Sequence, residues 1–128
     1  MSEARNILIV DDNEHNADLA GFLLEEAGFA VTVARDAKEA LAALDRAPPG
    51  VVLMDMDLPG QDGLSLVASL RRDPRHAGLA IVALTAHAMR GDRERFLDSG
   101  CSGYIPKPID VNSFVAEVTR YLEVERGR

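Results

Sequence analysis

Cysteine is almost missing from this chain: 128 residues include one, Cys101. That excludes an internal disulfide framework and fits a reducing compartment. Positive charge is also in deficit, with 14 basic residues against 21 acidic ones and a net charge of -7. A protein gripping DNA or RNA through phosphate contacts needs the opposite balance, so direct nucleic-acid binding is not expected. Long apolar runs are lacking too. The longest, Leu79 to Leu84, falls far short of the ~20 residues that span a bilayer. No basic, apolar-cored leader precedes the first strand-like run at Asn6, so a cytoplasmic protein with no membrane association is expected. Lysine is scarce as well: twelve of the fourteen basic residues are arginine, leaving Lys38 and Lys107.

What is present suits an ordinary globule. Apolar residues make up 47% and charged residues 27%, a balance that buries a core without disulfides or a structural metal. The length suits a single domain spanning 1–128, its core at about 5–124, with no output domain attached. Ile7 to Val10 and Val51 to Met54 are continuous apolar runs, as expected of strands buried on both faces. Leu79 to Leu84 is a third such run. Phe29 to Val33 alternates like a strand near an edge, and Gly103 to Ile105 is a weaker fifth candidate.

Between these runs the period becomes helical. Leu19, Leu23 and Ala27, widened by Phe22 and Leu24, predict the buried face of a first helix stopped by Gly28. Asp36 to Glu39 reads as a capping box ahead of Ala40, Leu41 and Leu44, and Pro48-Pro49-Gly50 ends that helix. Leu64, Leu66, Val67 and Leu70 supply a third helix, stopped before Pro74. Phe96 and Leu97 belong to a fourth, closed by Gly100. Asp110 caps a fifth whose apolar face is Phe114, Val118, Tyr121 and Leu122. Strands alternating with helices imply right-handed crossovers and a parallel α/β sheet covered on both sides.

In such a sheet, chemistry collects at the carboxyl ends of the strands. Asp11 and Asp12 follow the first strand, Asp55 and then Asp57 the third, Thr85 the fourth and Lys107 the fifth. Converging carboxylates repel one another unless they share a cation. With no histidine or cysteine beside them, they favour a hard ion, and Mg²⁺ leaves room for phosphate oxygens. Lys107 offers a point charge suited to phosphate, aimed by Pro106 and Pro108, and Thr85 offers a hydroxyl donor. His15 and His76 read as surface residues, and Cys101 as a small buried filler. Arg90, Arg93 and Arg95 read either as a basic patch facing a partner or as a solvated helix face balanced by Asp92, Glu94 and Asp98.

These positions together resemble the receiver domain of the bacterial two-component response-regulator family. The resemblance rests on Asp11-Asp12, on Leu53 to Gly60 with Asp62-Gly63, on Leu84-Thr85-Ala86 and on Lys107-Pro108. It covers Asn6 to about Glu123. The stretch from Thr85 to Ile109 resembles single-domain regulators of the DivK type, and equally receivers within hybrid kinases. The resemblance implies a flavodoxin-like, doubly wound (βα)5 fold with strand order 2-1-3-4-5. It further implies a phosphorylation-activated switch rather than a dedicated enzyme. Asp55 would accept a phosphoryl group from a phosphohistidine on a sensor histidine kinase or a histidine phosphotransfer protein. Asp12 would bind Mg²⁺ directly, Asp11 largely through water, and Asp57 through its backbone carbonyl. Thr85 and Lys107 would hold the phosphoryl oxygens, and Ala86 would leave a path to the site. Asp57 and His87 would influence phosphoryl lifetime. Tyr104 would act as a switch aromatic, reporting through the surface of the fourth helix, fifth strand and fifth helix to a downstream protein target. A monomer or weak dimer is expected.

Two other readings stand beside this one. Asp55-Met56-Asp57 also resembles the signature of haloacid-dehalogenase phosphohydrolases, which leaves Asp11 and Asp12 unexplained. A binding module that works without phosphorylation would have no use for the complete acid, threonine and lysine set.

Overall fold

The structure, a computed structural model, describes residues 6–56, 63–86 and 90–126. Branched apolar runs supply the centre of the sheet: β1 (Asn6–Val10), β3 (Val51–Asp55) and β4 (Ala80–Thr85) are buried on both faces apart from Asn6. β2 (Ala30–Ala34) and β5 (Gly103–Pro106) carry fewer buried residues because they form the edges. All neighbours pair in parallel, in the order β2-β1-β3-β4-β5. The predicted doubly wound order is therefore observed. No helix among the described residues is long and apolar enough to cross a membrane.

Side chains alternate along each strand, so the sheet divides the core in two. Leu8, Val10, Val52, Met54, Ile81 and Ala83 face a layer formed by α2 (Ala37–Arg46), α3 (Gly63–Arg72) and α4 (Arg90–Ser99). Ile7, Ile9, Val51, Leu53, Val82, Leu84 and Ile105 face α1 (Glu14–Glu26) and α5 (Phe114–Arg126). Cys101 is packed in the first layer, as expected of a filler, and burial pushes its thiol up from the ordinary range.

Several helix faces differ from the expected ones. In α1 the buried residues are Ala17, Ala20, Gly21 and Leu24, while Leu19 and Phe22 are exposed. The expected stripe of Leu19, Leu23 and Ala27 is thus replaced by a face at positions 17, 20, 21 and 24, the i, i+3, i+4, i+7 spacing, from which Leu19, Phe22 and Ala27 turn away. Leu41 and Leu97 are exposed because they too fall off the buried faces, which carry Ala40, Ala43 and Leu44 in α2 and Phe96 in α4. His76 is buried, contrary to its expected surface position, because a 3-10 turn at Pro74–His76 folds it inward. α5 begins at Phe114 rather than directly after Asp110. The Asp110 side chain instead accepts from Asn112 N–H at 2.9 Å, and its carbonyl from Phe114 N–H at 2.9 Å.

Other local signals hold. Asp36 caps α2 by accepting from Glu39 N–H at 2.9 Å, and the Glu39 carboxylate accepts in return from Arg35 N–H at 2.8 Å. Gly28 and Gly100 end α1 and α4 with φ of 99° and 115°, the left-handed region that side chains avoid. Arg71 lies against Gly100, where a Cβ would fall 2.7 Å from the arginine Cγ. Its guanidinium donates to the carbonyls of Gly100 at 2.8 Å, His76 at 3.0 Å and Ala77 at 3.1 Å. One charged fork thus satisfies the carboxyl ends of two helical segments.

Candidate functional site

Parallel strands bring their carboxyl ends to one rim, and the acids collect there. Asp11 follows β1 directly, and its N–H continues the β1–β2 pairing by donating to the Ala34 carbonyl at 2.9 Å. Asp55 is the last residue of β3. Both are buried, while Asp12 is exposed. Ligand oxygens from Asp11, Asp12 and Asp55 lie within 4.8 Å of one another.

Lys107 arrives from the far end of the sheet. β5 pairs with β4 as far as Pro106, after which Lys107 N–H donates to the Thr85 carbonyl at 2.8 Å. Its ammonium then donates to Asp55 Oδ1 at 2.8 Å, with side-chain exposures of 16% and 4%. Thr85 is buried at the end of β4, next to Asp55 on the neighbouring strand. Tyr104 pairs with Ala83, further from the rim, and packs half-buried on the α2–α3–α4 layer. Ala86 is exposed beyond Thr85. Asp57 and His87 lie outside the described residues.

Three carboxylates meet one ammonium here, and Asp11 records the imbalance. Its carboxyl is raised to about 6, by burial first and also by the charge of Asp55. The Asn13 N–H, donating to Asp11 Oδ1 at 2.9 Å, and the charge of Lys107 both oppose that rise. A raised carboxyl means that the folded protein binds this proton more tightly than the unfolded chain. Holding Asp11 ionised therefore costs stability above about pH 6, and the cost disappears as pH falls toward the unfolded value of 3.8. Asp11→Asn keeps an acceptor for Asn13 and removes the charge. It is expected to stabilise the metal-free protein at pH 7 by about 2 kcal/mol. The advantage should vanish near pH 4. Urea denaturation at the two pH values checks this, and equal stability at pH 7 would contradict it.

The donor set fits a divalent cation of the hard class. Mg²⁺ takes oxygen ligands only and commonly binds through one or two carboxylates while keeping waters. The chemistry of three clustered carboxylates, two of them buried, matches that demand.

Asn13 was not among the expected site residues. It accepts from Asn16 N–H at 3.0 Å as the cap of α1 while its own N–H holds Asp11. An Asn immediately ahead of a helical run is a readable cap signal, so this role was available from the residues alone.

Known proteins resemble this chain over most of its length. The family model of the response regulator receiver domain matches residues 7–119. The polar-differentiation response regulator DivK of Brucella anthropi is 37% identical over 118 residues, covering 92% of this chain and 96% of that protein. An uncharacterised 14.6 kDa protein of Leptolyngbya boryana is 40% identical over 116 residues, covering 91% and 88%. Among solved structures, a CheY-like response regulator receiver domain protein of Methanospirillum hungatei superposes with a TM-score of 0.86 at 26% identity. That match covers 96% of this chain and 97% of the other. With its five parallel strands and the acids at their carboxyl ends, this chain belongs to the response regulator receiver domain family, a family of signalling domains rather than dedicated enzymes.

Proposed function

We propose that the protein is a phosphorylation-activated switch in which Asp55 accepts a phosphoryl group from a phosphohistidine on a sensor histidine kinase or a histidine phosphotransfer protein. The observation that supports this best is the buried Asp55–Lys107 pair, set within the same cluster as Asp11 and Asp12. A carboxylate cannot readily approach an anionic phosphoryl group unless the charge around it is balanced. One Asp55 oxygen forms the new bond to phosphorus as the bond from phosphorus to the donor breaks, and the donor imidazole leaves with the electron pair. The Lys107 ammonium already touches Asp55 and has only to follow the incoming oxygens. The Thr85 hydroxyl, on the adjacent strand end, orients another of them.

Asp12 and Asp55 would hold Mg²⁺, with Asp11 acting largely through water and Asp57 through its carbonyl. When bound, the ion supplies positive charge beside the phosphoryl oxygens. Capture of the phosphoryl group draws Thr85 inward and lets Tyr104 follow, changing the surface that a downstream protein target reads. A regulator of this class is expected to work in the cytoplasm through protein partners.

The test is incubation with acetyl phosphate and Mg²⁺, read by intact mass. Gain of one phosphoryl group, abolished by EDTA, is expected. Steady release of inorganic phosphate with no adduct detectable at early times would replace this reading with a hydrolytic one.

A further inference from the structure

We propose that Tyr121 is a positioning residue that couples the Tyr104 switch to α5 around the open edge of β5; the proposal rests on the switch reading given above. The sheet keeps its two layers apart everywhere except at its edges. Tyr104 packs on the layer of α2, α3 and α4, whereas Tyr121 packs on the layer of α1 and α5. At the β5 edge the two tyrosines meet. The Tyr121 ring lies across Gly103, its hydroxyl and ring carbons occupying the space where a Cβ on residue 103 would stand. Any side chain there would evict the ring.

The backbone of β5 explains what the hydroxyl does. In a parallel pair, alternate residues point their N–H and C=O groups toward the partner strand. Lys107 N–H donates inward to Thr85, so Tyr104 turns its backbone groups outward, toward the edge. The Tyr121 hydroxyl accepts from the Tyr104 backbone there, while burial and the nearby charge of Glu117 push the phenol up. One hydrogen bond thus ties the backbone of the switch residue to a side chain on the opposite layer. Beside it, Tyr104, Ile105, Glu117, Arg120 and Tyr121 line a cleft of about 380 Å³. A displacement of Tyr104 toward Thr85 pulls on Tyr121 and reshapes that cleft, so a partner seated on α5 senses an event on the other side of the sheet. Away from this edge the hydrogen-bonded strands stand between the two layers.

The chain has two tyrosines, Tyr104 and Tyr121, so labelling with 3-fluorotyrosine yields one ¹⁹F resonance for each, assigned with Tyr121→Phe. Acetyl phosphate with Mg²⁺ is expected to move both resonances in the wild type, with the adduct verified by mass. Tyr121→Phe keeps the ring over Gly103 and loses the acceptor. It should shift the Tyr104 resonance in the unphosphorylated protein and reduce its further movement on phosphorylation, while phosphoryl uptake is unchanged. Movement of Tyr104 alone in a verified adduct would overturn the coupling. So would a Tyr104 resonance indifferent to Tyr121→Phe. If no adduct forms, the switch reading fails separately, and Gly103→Ala then decides the coupling. That substitution must move both resonances, and a change confined to Tyr121 would end the proposal.

Discussion

Asp55→Asn is expected to gain no phosphoryl group from acetyl phosphate and Mg²⁺, while remaining folded. The amide oxygen is a poor nucleophile, and the remaining carboxylates are badly placed to take over. Asp11 is raised to about 6, is buried and is already bonded to the Asn13 N–H. Asp12 is exposed and lacks the ammonium that Lys107 gives Asp55. Two effects on stability oppose each other. Removing one member of a buried ion pair costs on the order of 3 kcal/mol when the other charge is left without company. Here Lys107 keeps the charge of Asp11 nearby, and repulsion among the three acids is relieved. The melting temperature should therefore move little, in contrast to the complete loss of uptake. Intact mass and a thermal melt on the same sample read both quantities. An adduct of wild-type size on the variant would move the acceptor to another residue, and peptide mapping would identify it.

The largest effect on stability is expected from Phe114→Ala. Phe114 is fully buried at the first turn of α5, in the same cluster as Leu24, Leu53, Leu84 and Val118. Truncating a buried phenylalanine costs about 3–5 kcal/mol, because the transfer free energy is lost and the cavity closes only in part. Against the roughly 5–15 kcal/mol that holds a domain of this size together, that is a large share. Urea denaturation measures it, and a loss below about 1 kcal/mol would mean that the site collapses to fill the gap. The Asp55–Lys107 contact is made by strand ends rather than by α5. The variant should accordingly keep Mg²⁺-dependent uptake under conditions in which it remains folded.

The central strands were legible because nothing in them alternates. A run such as Val51 to Met54 has no polar face to turn toward water, so it must be covered on both sides. The rim chemistry was legible for a related reason: acids, threonine and lysine placed directly after such runs can only converge once the strands are parallel. The layer side of the helices was harder to read. In α1 the choice between Leu19–Phe22 and Ala17–Ala20–Gly21 depends on how closely the helix approaches β2, where Gly21 sits near Val31. That distance is a tertiary quantity with no local signature. The Arg71 clamp has the same character, since Gly100 and Ser102 lie 29 and 31 residues away along the chain. Burial of His76 follows from a short 3-10 turn that Pro74 permits but does not by itself announce.

The β5 edge has a further consequence, for how this molecule meets its own copies. An open sheet invites another strand to dock wherever outward N–H groups are free. On β5 the outward positions are residues 104 and 106. The first has its donor engaged by the Tyr121 hydroxyl, and the second is Pro106, which has no donor to give. A strand sliding up to this side finds nothing that will bond to its carbonyls. The same tyrosine that links the two layers therefore leaves positions 104 and 106 with no N–H to offer a sixth strand.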